Sequence, residues 1–181
     1  MGFVLSKLAS LTLVALLAGT AGCVADTDAV DPDEEVGIDE ADAEEVDTVE
    51  LGLSGSFAGT AEKTHARRIN DRRARRGVRR LNRRACLNTV ARNWAARMAA
   101  AGSISHNPNV GAQVRSRCGL SWRSWGENVG SGFSEASIWQ AFLGSSPHRA
   151  NIDRARWDSM GVGIYKRTDG KMFLAQVFVD F

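Results

Sequence analysis

The fold of this chain is decided by the stretch SMGVGIYKRTDGKMFLAQVFVD, residues 159–180. Apolar residues alternate with other residues in both halves, and a period of two predicts β-strands. Met160, Val162 and Ile164 share one face of the first half. Asp169-Gly170 between the halves is a strong signal for a type I′ turn. The stretch therefore predicts an antiparallel hairpin with strands at 159–166 and 171–180.

Helical patterns precede this hairpin. The clearest has apolar side chains spaced three and four residues apart and ends at Gly102. Its members are Leu87, Val90, Ala91, Trp94, Ala95, Met98 and Ala99. An earlier helix is predicted from Thr60, as its N-cap, to about residue 76, where Gly77 ends it. Within it, His65 is predicted to be a half-exposed helix residue rather than a ligand.

Two further helices are predicted between Gly102 and the hairpin. A short one spans about 109–117, and another begins at the N-cap Ser134 and buries Ile138, Trp139 and Phe142. A short strand or turn is expected near Glu127, because glycines lie on both sides of it. Helices followed by a terminal hairpin predict an α+β fold in layers, with helices packed over a small antiparallel sheet.

The start of the chain is typical of an export signal. Residues 1–22 carry one basic side chain, Lys7, then a short apolar run and small residues. Cys23 follows directly, as in a bacterial lipoprotein signal, so we expect Cys23 to be lipidated and to anchor the protein in a membrane. Cleavage after Ala21 or Ala25, which would release a secreted protein, is the alternative.

The charges of the chain are divided between two regions. Residues 26–50 hold 13 acidic and no basic residues, whereas residues 51–181 hold 22 Lys and Arg against 8 Asp and Glu, a net +14. Residues 23–59 are therefore predicted to be an acidic, disordered tether, and residues 60–181 the folded domain. Because the chain is exported and no aromatic residues interleave with its arginines, no nucleic-acid partner is expected. Attraction of the basic face to an anionic surface is a third functional option.

The cysteines indicate an oxidising compartment. If Cys23 carries lipid, Cys86 and Cys118 remain, and an isolated pair in an exported protein predicts a disulfide. Such a bond would contribute about 3–4 kcal/mol by constraining the unfolded chain. Two buried free thiols are the alternative.

Three polar side chains are predicted to meet in a cleft. His148 lies in Ser-Ser-Pro-His-Arg-Ala-Asn-Ile, just after a helix ends. His106 follows the clearest helix within four residues of its end, and Glu127 lies in Gly-Glu-Asn-Val. Asn128 is expected to support them, as is Gln176, an amide on the apolar face of the second hairpin strand.

These motifs, in this order and spacing, resemble the CAP superfamily of cysteine-rich secretory, antigen 5 and pathogenesis-related 1 proteins. The bacterial single-domain, SCP-like branch is the most similar. The resemblance spans about residues 61–181 and includes Asn70 and Arg73 of an Asn-x-x-Arg helix and a Gln-Val-Phe segment from Gln176. It implies a three-layer α-β-α sandwich whose central cleft, lined by two histidines and two acids, can hold a divalent metal, often zinc.

Carried over by motif, the cleft residues are His106, Glu127 and His148. The second acid of the family is missing, because residues 107–126 contain no Asp or Glu. Two imidazoles and one carboxylate with an open position can hold a catalytic zinc ion. The same three groups could instead form a buried hydrogen-bond network that only fixes the cleft.

Two classes of function follow. The first is a non-catalytic binding or interaction module of the cell envelope, whose cleft takes a divalent metal, a lipid or sterol, or an envelope ligand. The second is a hydrolase, either metal-assisted or serine-based, with Ser145 or Ser146 as nucleophile and His148 as base. The resemblance favours the binding module.

Overall fold

The computed structural model describes residues 24–25 and 54–181. The predicted signal peptide, Cys23 and nearly all of the acidic tether lie outside these residues. In chain order the elements are β1 (Val24–Ala25), β2 (Gly55–Phe57), α1 (Gly59–Arg75), β3 (Asn82–Arg83), α2 (Ala85–Ala101), α3 (Val110–Cys118), β4 (Ser124–Gly132), α4 (Glu135–Gly144), α5 (Ser146–Asp153), β5 (Ser159–Arg167) and β6 (Met172–Asp180).

One sheet forms the middle of the molecule. Its strand order is β1-β4-β6-β5-β2, with all neighbours antiparallel, and β3 pairs with β5 in parallel. The predicted hairpin and the predicted strand near Glu127 are its three long strands. β2 lies within residues 23–59, the stretch predicted to be the disordered tether, so the ordered fold begins before Thr60. None of the short strands β1, β2 and β3 has enough residues to show a periodic pattern.

The turn of the hairpin differs from the prediction by one residue. Arg167 N donates to Lys171 O at 2.9 Å, and Gly170 N donates to Arg167 O at 3.0 Å. The loop therefore contains three residues, Thr168 to Gly170, with Gly170 in the left-handed region at φ 86°. The two-residue type I′ turn was wrong, because pairing continues to Arg167 and a glycine at the third loop position meets the backbone requirement.

α2 and α3 cover one face of the sheet. The apolar stripe of α2 is buried as predicted, except that Trp94 is only partly buried and donates its indole N–H to Ser105 O. A Cβ added at Gly161 or Gly163 would overlap the backbone of α2, so these two glycines allow the helix to lie directly on β5. The predicted disulfide between Cys86 and Cys118 is confirmed and links the two helices.

α1, α4 and α5 cover the other face. Ser134 caps α4 by accepting from Ser137 N, as predicted. α1 begins at Gly59, one residue before the predicted N-cap Thr60, and no side chain caps it. Arg73 of α1 is buried and donates to the carbonyls of Ile152, Arg154 and Arg79, which joins α1 to the end of α5. The predicted α+β sandwich of three layers is confirmed.

No helix among residues 24–25 and 54–181 is long and apolar enough to cross a bilayer.

Candidate functional site

His106 and Glu127 are in contact, as the sequence predicts for two of its three cleft residues. His106 lies between α2 and α3, and its Nδ1 is 2.8 Å from Glu127 Oε2. Asn107 N also donates to Oε2, at 3.0 Å. The Glu127 side chain is 1 % exposed and that of His106 is 19 % exposed. The carboxylate thus fixes the orientation of a partly exposed imidazole whose Nε2 atom is itself buried.

Neighbouring residues of β4 face opposite layers, because side chains alternate along a strand. Glu127 faces the layer of α2 and α3, and Asn128 faces the layer of α4 and α5. Asn128 Nδ2 donates to His148 O at 3.1 Å and to Gln176 Oε1 at 2.8 Å. One dipeptide of β4 therefore contacts the segments that carry both predicted histidines.

His148 lies in the first turn of α5 and is fully buried. Its ring packs against Phe142, with ring centroids 4.8 Å apart. Its backbone carbonyl is held by Asn128, as described above. The structure therefore places His148 in the α4–α5 layer, beside the strand that carries Glu127.

The two residues predicted to support the site belong to a chain of buried amides. Asn151 Nδ2 donates to Asn128 Oδ1 at 3.0 Å and to the backbone oxygen of Glu127 at 3.2 Å. Asn128 in turn donates to Gln176, as described above. These three amides are at most 2 % exposed. They connect α5, β4 and β6 and form a polar wall behind Glu127.

The sequence reasoning missed His65, which extends this chain of amides. His65 was predicted to be half-exposed, and this was wrong, because its side chain is fully buried. Its Nε2 is 2.6 Å from Gln176 Nε2, and its Nδ1 is 2.7 Å from Glu135 Oε1. Both partners are distant in sequence, so the pattern along one helix face could not reveal them. A histidine on the inner face of α1 was the only signal.

The protonation of His65 follows from these contacts. Burial lowers the pKa of the His65 imidazole, against the opposing effect of Glu135. Burial alone would raise the pKa of Glu135, but the contacts from His65 and Arg68 hold it below its usual value. A neutral His65 donates from Nδ1 to the Glu135 carboxylate, and its Nε2 then accepts from the amide nitrogen of Gln176. This assignment leaves each hydrogen bond with one donor and one acceptor.

The predicted zinc site requires several metal-binding side chains close together. Among residues 24–25 and 54–181, no three His, Cys, Asp or Glu side chains lie close enough together to hold a metal ion. The described side chains thus supply fewer than three ligands at one place, so a zinc ion there would take its remaining ligands from a bound molecule or from water. Zinc binding stays a prediction, which metal analysis can test.

Two surface grooves lie away from His106, Glu127 and His148. One, of about 360 Å³, is lined by Cys86, Thr89, Ser116 and Arg117. The other, of about 540 Å³, lies between β2, α1 and the start of α4 and includes Glu135 and Lys166. Neither is lined by His106, Glu127 or His148, so a cleft formed by these three also stays a prediction.

Solved structures share this fold. A protein with an SCP domain from Bacillus anthracis has a TM-score of 0.60 at 22% identity, over 68% of this chain and 41% of that one. An outer surface protein from Borrelia burgdorferi has a TM-score of 0.61 at 18% identity, over 70% of this chain and 98% of that one. A cysteine-rich secretory protein from Staphylococcus aureus has a TM-score of 0.56 at 16% identity, over 68% of this chain and 39% of that one.

The B. anthracis and S. aureus chains are thus more than twice as long as the part this chain matches. No curated protein matches the chain. The profile of CAP, described as the cysteine-rich secretory protein family, matches residues 66–179, which is more than half of the chain. The chain therefore belongs to the CAP family.

Proposed function

We propose that this chain is an exported binding module of the cell envelope, with ligand recognition centred on His106 and Glu127. The observation that carries the proposal is the 2.8 Å contact between His106 Nδ1 and Glu127 Oε2. A buried carboxylate that holds one ring nitrogen fixes both the tautomer and the orientation of an imidazole. A fixed and partly exposed imidazole binds a ligand at a lower entropic cost than a mobile one.

Export is supported by three observations. The chain begins with a signal-like apolar segment followed by Cys23. The disulfide between Cys86 and Cys118 is typical of oxidising compartments outside the cytosol. The similar B. anthracis and B. burgdorferi proteins are described as extracellular and as an outer surface protein.

The ligand classes that suit the pair are a divalent metal, a lipid or another envelope ligand with polar groups. The amide wall of Asn128, Asn151 and Gln176 supports any of these, because buried amides with satisfied hydrogen bonds hold the backbone around Glu127 rigid. Because Glu127 is hydrogen-bonded to His106 Nδ1, a metal would bind His106 through Nε2 and take its other ligands from the bound molecule or from water.

The arrangement of α5 disfavours Ser146 as a nucleophile with His148 as its base. Ser146 is exposed at the first residue of α5, while the ring of His148 is buried two residues later. Residues two apart on a helix do not face each other, so His148 is poorly placed to take a proton from Ser146.

Zinc retention and hydrolysis measured on the same samples test the proposal. The full exported chain, Glu127→Gln and His106→Ala would be dialysed against zinc and then against buffer. We expect the wild type to retain zinc and both variants to lose at least about tenfold in affinity. Asp169→Asn, an exposed carboxylate outside the site, is the control. Ester or peptide hydrolysis that His106→Ala abolishes would overturn a binding-only function.

A further inference from the structure

We propose that the end of the sheet carrying the β5–β6 loop docks on the surface of an anionic bilayer. We call this surface the hairpin tip and define it by the ring of Phe133 and the ammonium groups of Lys166 and Lys171. The inference adds a second membrane contact to the predicted anchor at Cys23. It rests on the export part of the proposed function and is independent of ligand binding at His106.

Phe133 is the most exposed large apolar side chain among the described residues, at 72 %. It follows Gly132, the last residue of β4, and Gly132 lies opposite Met172 of β6. Moving an exposed aromatic ring from water into the headgroup region of a bilayer is favourable, because apolar surface is removed from water.

The lysines lie beside this ring in the register of the sheet. Met172 lies opposite Lys166, and Lys171 directly precedes Met172. Side chains alternate along a strand, so Lys166 projects with Met172 from one face of the sheet and Lys171 with Phe173 from the other. The two lysines therefore flank this end of the sheet from opposite faces. Neither lysine forms an ion pair with a described residue, although the ammonium group of Lys171 lies 5.2 Å from the ring centroid of Phe173.

Among the described residues at this end, the two acidic groups form ion pairs. Asp169 pairs with Arg167 at 2.9 Å, and Glu135 pairs with Arg68 at 3.1 Å. The two lysines therefore give the described part of the tip a positive charge. A basic surface around an exposed aromatic ring fits the interface of a bilayer with anionic lipids.

The direction of β1 points toward the same end of the sheet. Val24 lies opposite Val129 and Ala25 opposite Asn128, in antiparallel register. Going backward from Val24, the chain therefore points toward Gly132, the end of β4 from which Phe133 follows. The chain therefore enters β1 from the end of the sheet that carries the hairpin tip.

Vesicle binding by the full chain carrying Cys23→Ser tests the tip without a lipid anchor. The vesicles are phosphatidylcholine alone, or an equal mixture of phosphatidylcholine and phosphatidylglycerol, in low salt. We expect binding only to the mixture. Phe133→Ser should weaken it about tenfold. Lys166→Ala with Lys171→Ala should weaken it about 25-fold, from about fivefold for each lysine.

Matched controls come from the opposite end of β4. Leu120→Ser removes an apolar side chain that is 40 % exposed, and Arg156→Ala removes an exposed basic one. Both should bind vesicles like the wild type, and Phe133→Leu should retain most of the binding.

Three outcomes would overturn the inference: no binding to the anionic mixture, equal binding by Phe133→Ser, or an equal loss in the control variants. Capture of a protein partner that Phe133→Ser abolishes, without vesicle binding, would assign the tip to that partner instead. Zinc retention in the same samples shows separately whether the site at His106 is intact, so the two proposals fail independently.

Discussion

Replacing Gln176 tests whether the buried amides hold the sheet and the layer of α1, α4 and α5 together. Gln176 is fully buried and connects His65 with Asn128. In Gln176→Leu, a side chain of similar volume, the Nε2 of His65 and one Nδ2 hydrogen of Asn128 lose their partners. Each buried polar atom left without a partner costs about 1–3 kcal/mol, so the free energy of unfolding should fall by about 2–6 kcal/mol.

Urea denaturation at neutral pH, followed by tryptophan fluorescence, measures this loss. Gln140→Leu is the matched control, because Gln140 is exposed on α4 and should change stability by less than about 0.5 kcal/mol. A loss of less than about 1 kcal/mol in Gln176→Leu would refute the reasoning, because His65 Nε2 and Asn128 Nδ2 would then have other hydrogen-bond partners. Zinc retention should also weaken, because the buried amides hold the backbone of Glu127.

Three further predictions concern stability. Gly161→Ala should cost about 3 kcal/mol in urea denaturation, because a Cβ there meets the backbone of α2, whereas Gly144→Ala, with open space around it, should cost nothing. Because the pKa of His65 is lowered from 6.5 in the folded state, stability should be lost as the pH falls below about 6.5. His65→Gln should flatten that loss, and an unchanged pH profile would contradict the assignment. Removing the disulfide with Cys86→Ala and Cys118→Ala should lower the unfolding free energy by about 3–4 kcal/mol.

Much of the fold could be predicted because its signals are local. The spacing of apolar residues in α2 and the glycines after α1 and α2 depend on a few neighbouring residues and on backbone sterics. Met160, Val162 and Ile164 were predicted to share one face of a strand, and the structure adds that the glycines between them, Gly161 and Gly163, lie directly against α2. The pairing of Cys86 with Cys118 was predictable because Cys23 has a separate expected role.

The contact between His106 and Glu127 could be predicted because His106 follows a recognisable helix end and Glu127 lies in a Gly-Glu-Asn-Val motif. The role of His65 could not, because its partners Glu135 and Gln176 are about 70 and 110 residues away and lie on other elements, α4 and β6. The edge strands β1 and β2 also escaped prediction. They form by pairing with β4 and β5, and their two or three residues carry no pattern of their own.

The most direct test of the proposed function is native mass spectrometry of the full chain isolated from the cell envelope. The account predicts that the wild type carries a non-covalently bound metal ion or small molecule, and that His106→Ala, folded to the same extent by circular dichroism, does not. Identical spectra for the wild type and His106→Ala would contradict the claim that the contact between His106 and Glu127 forms a binding site.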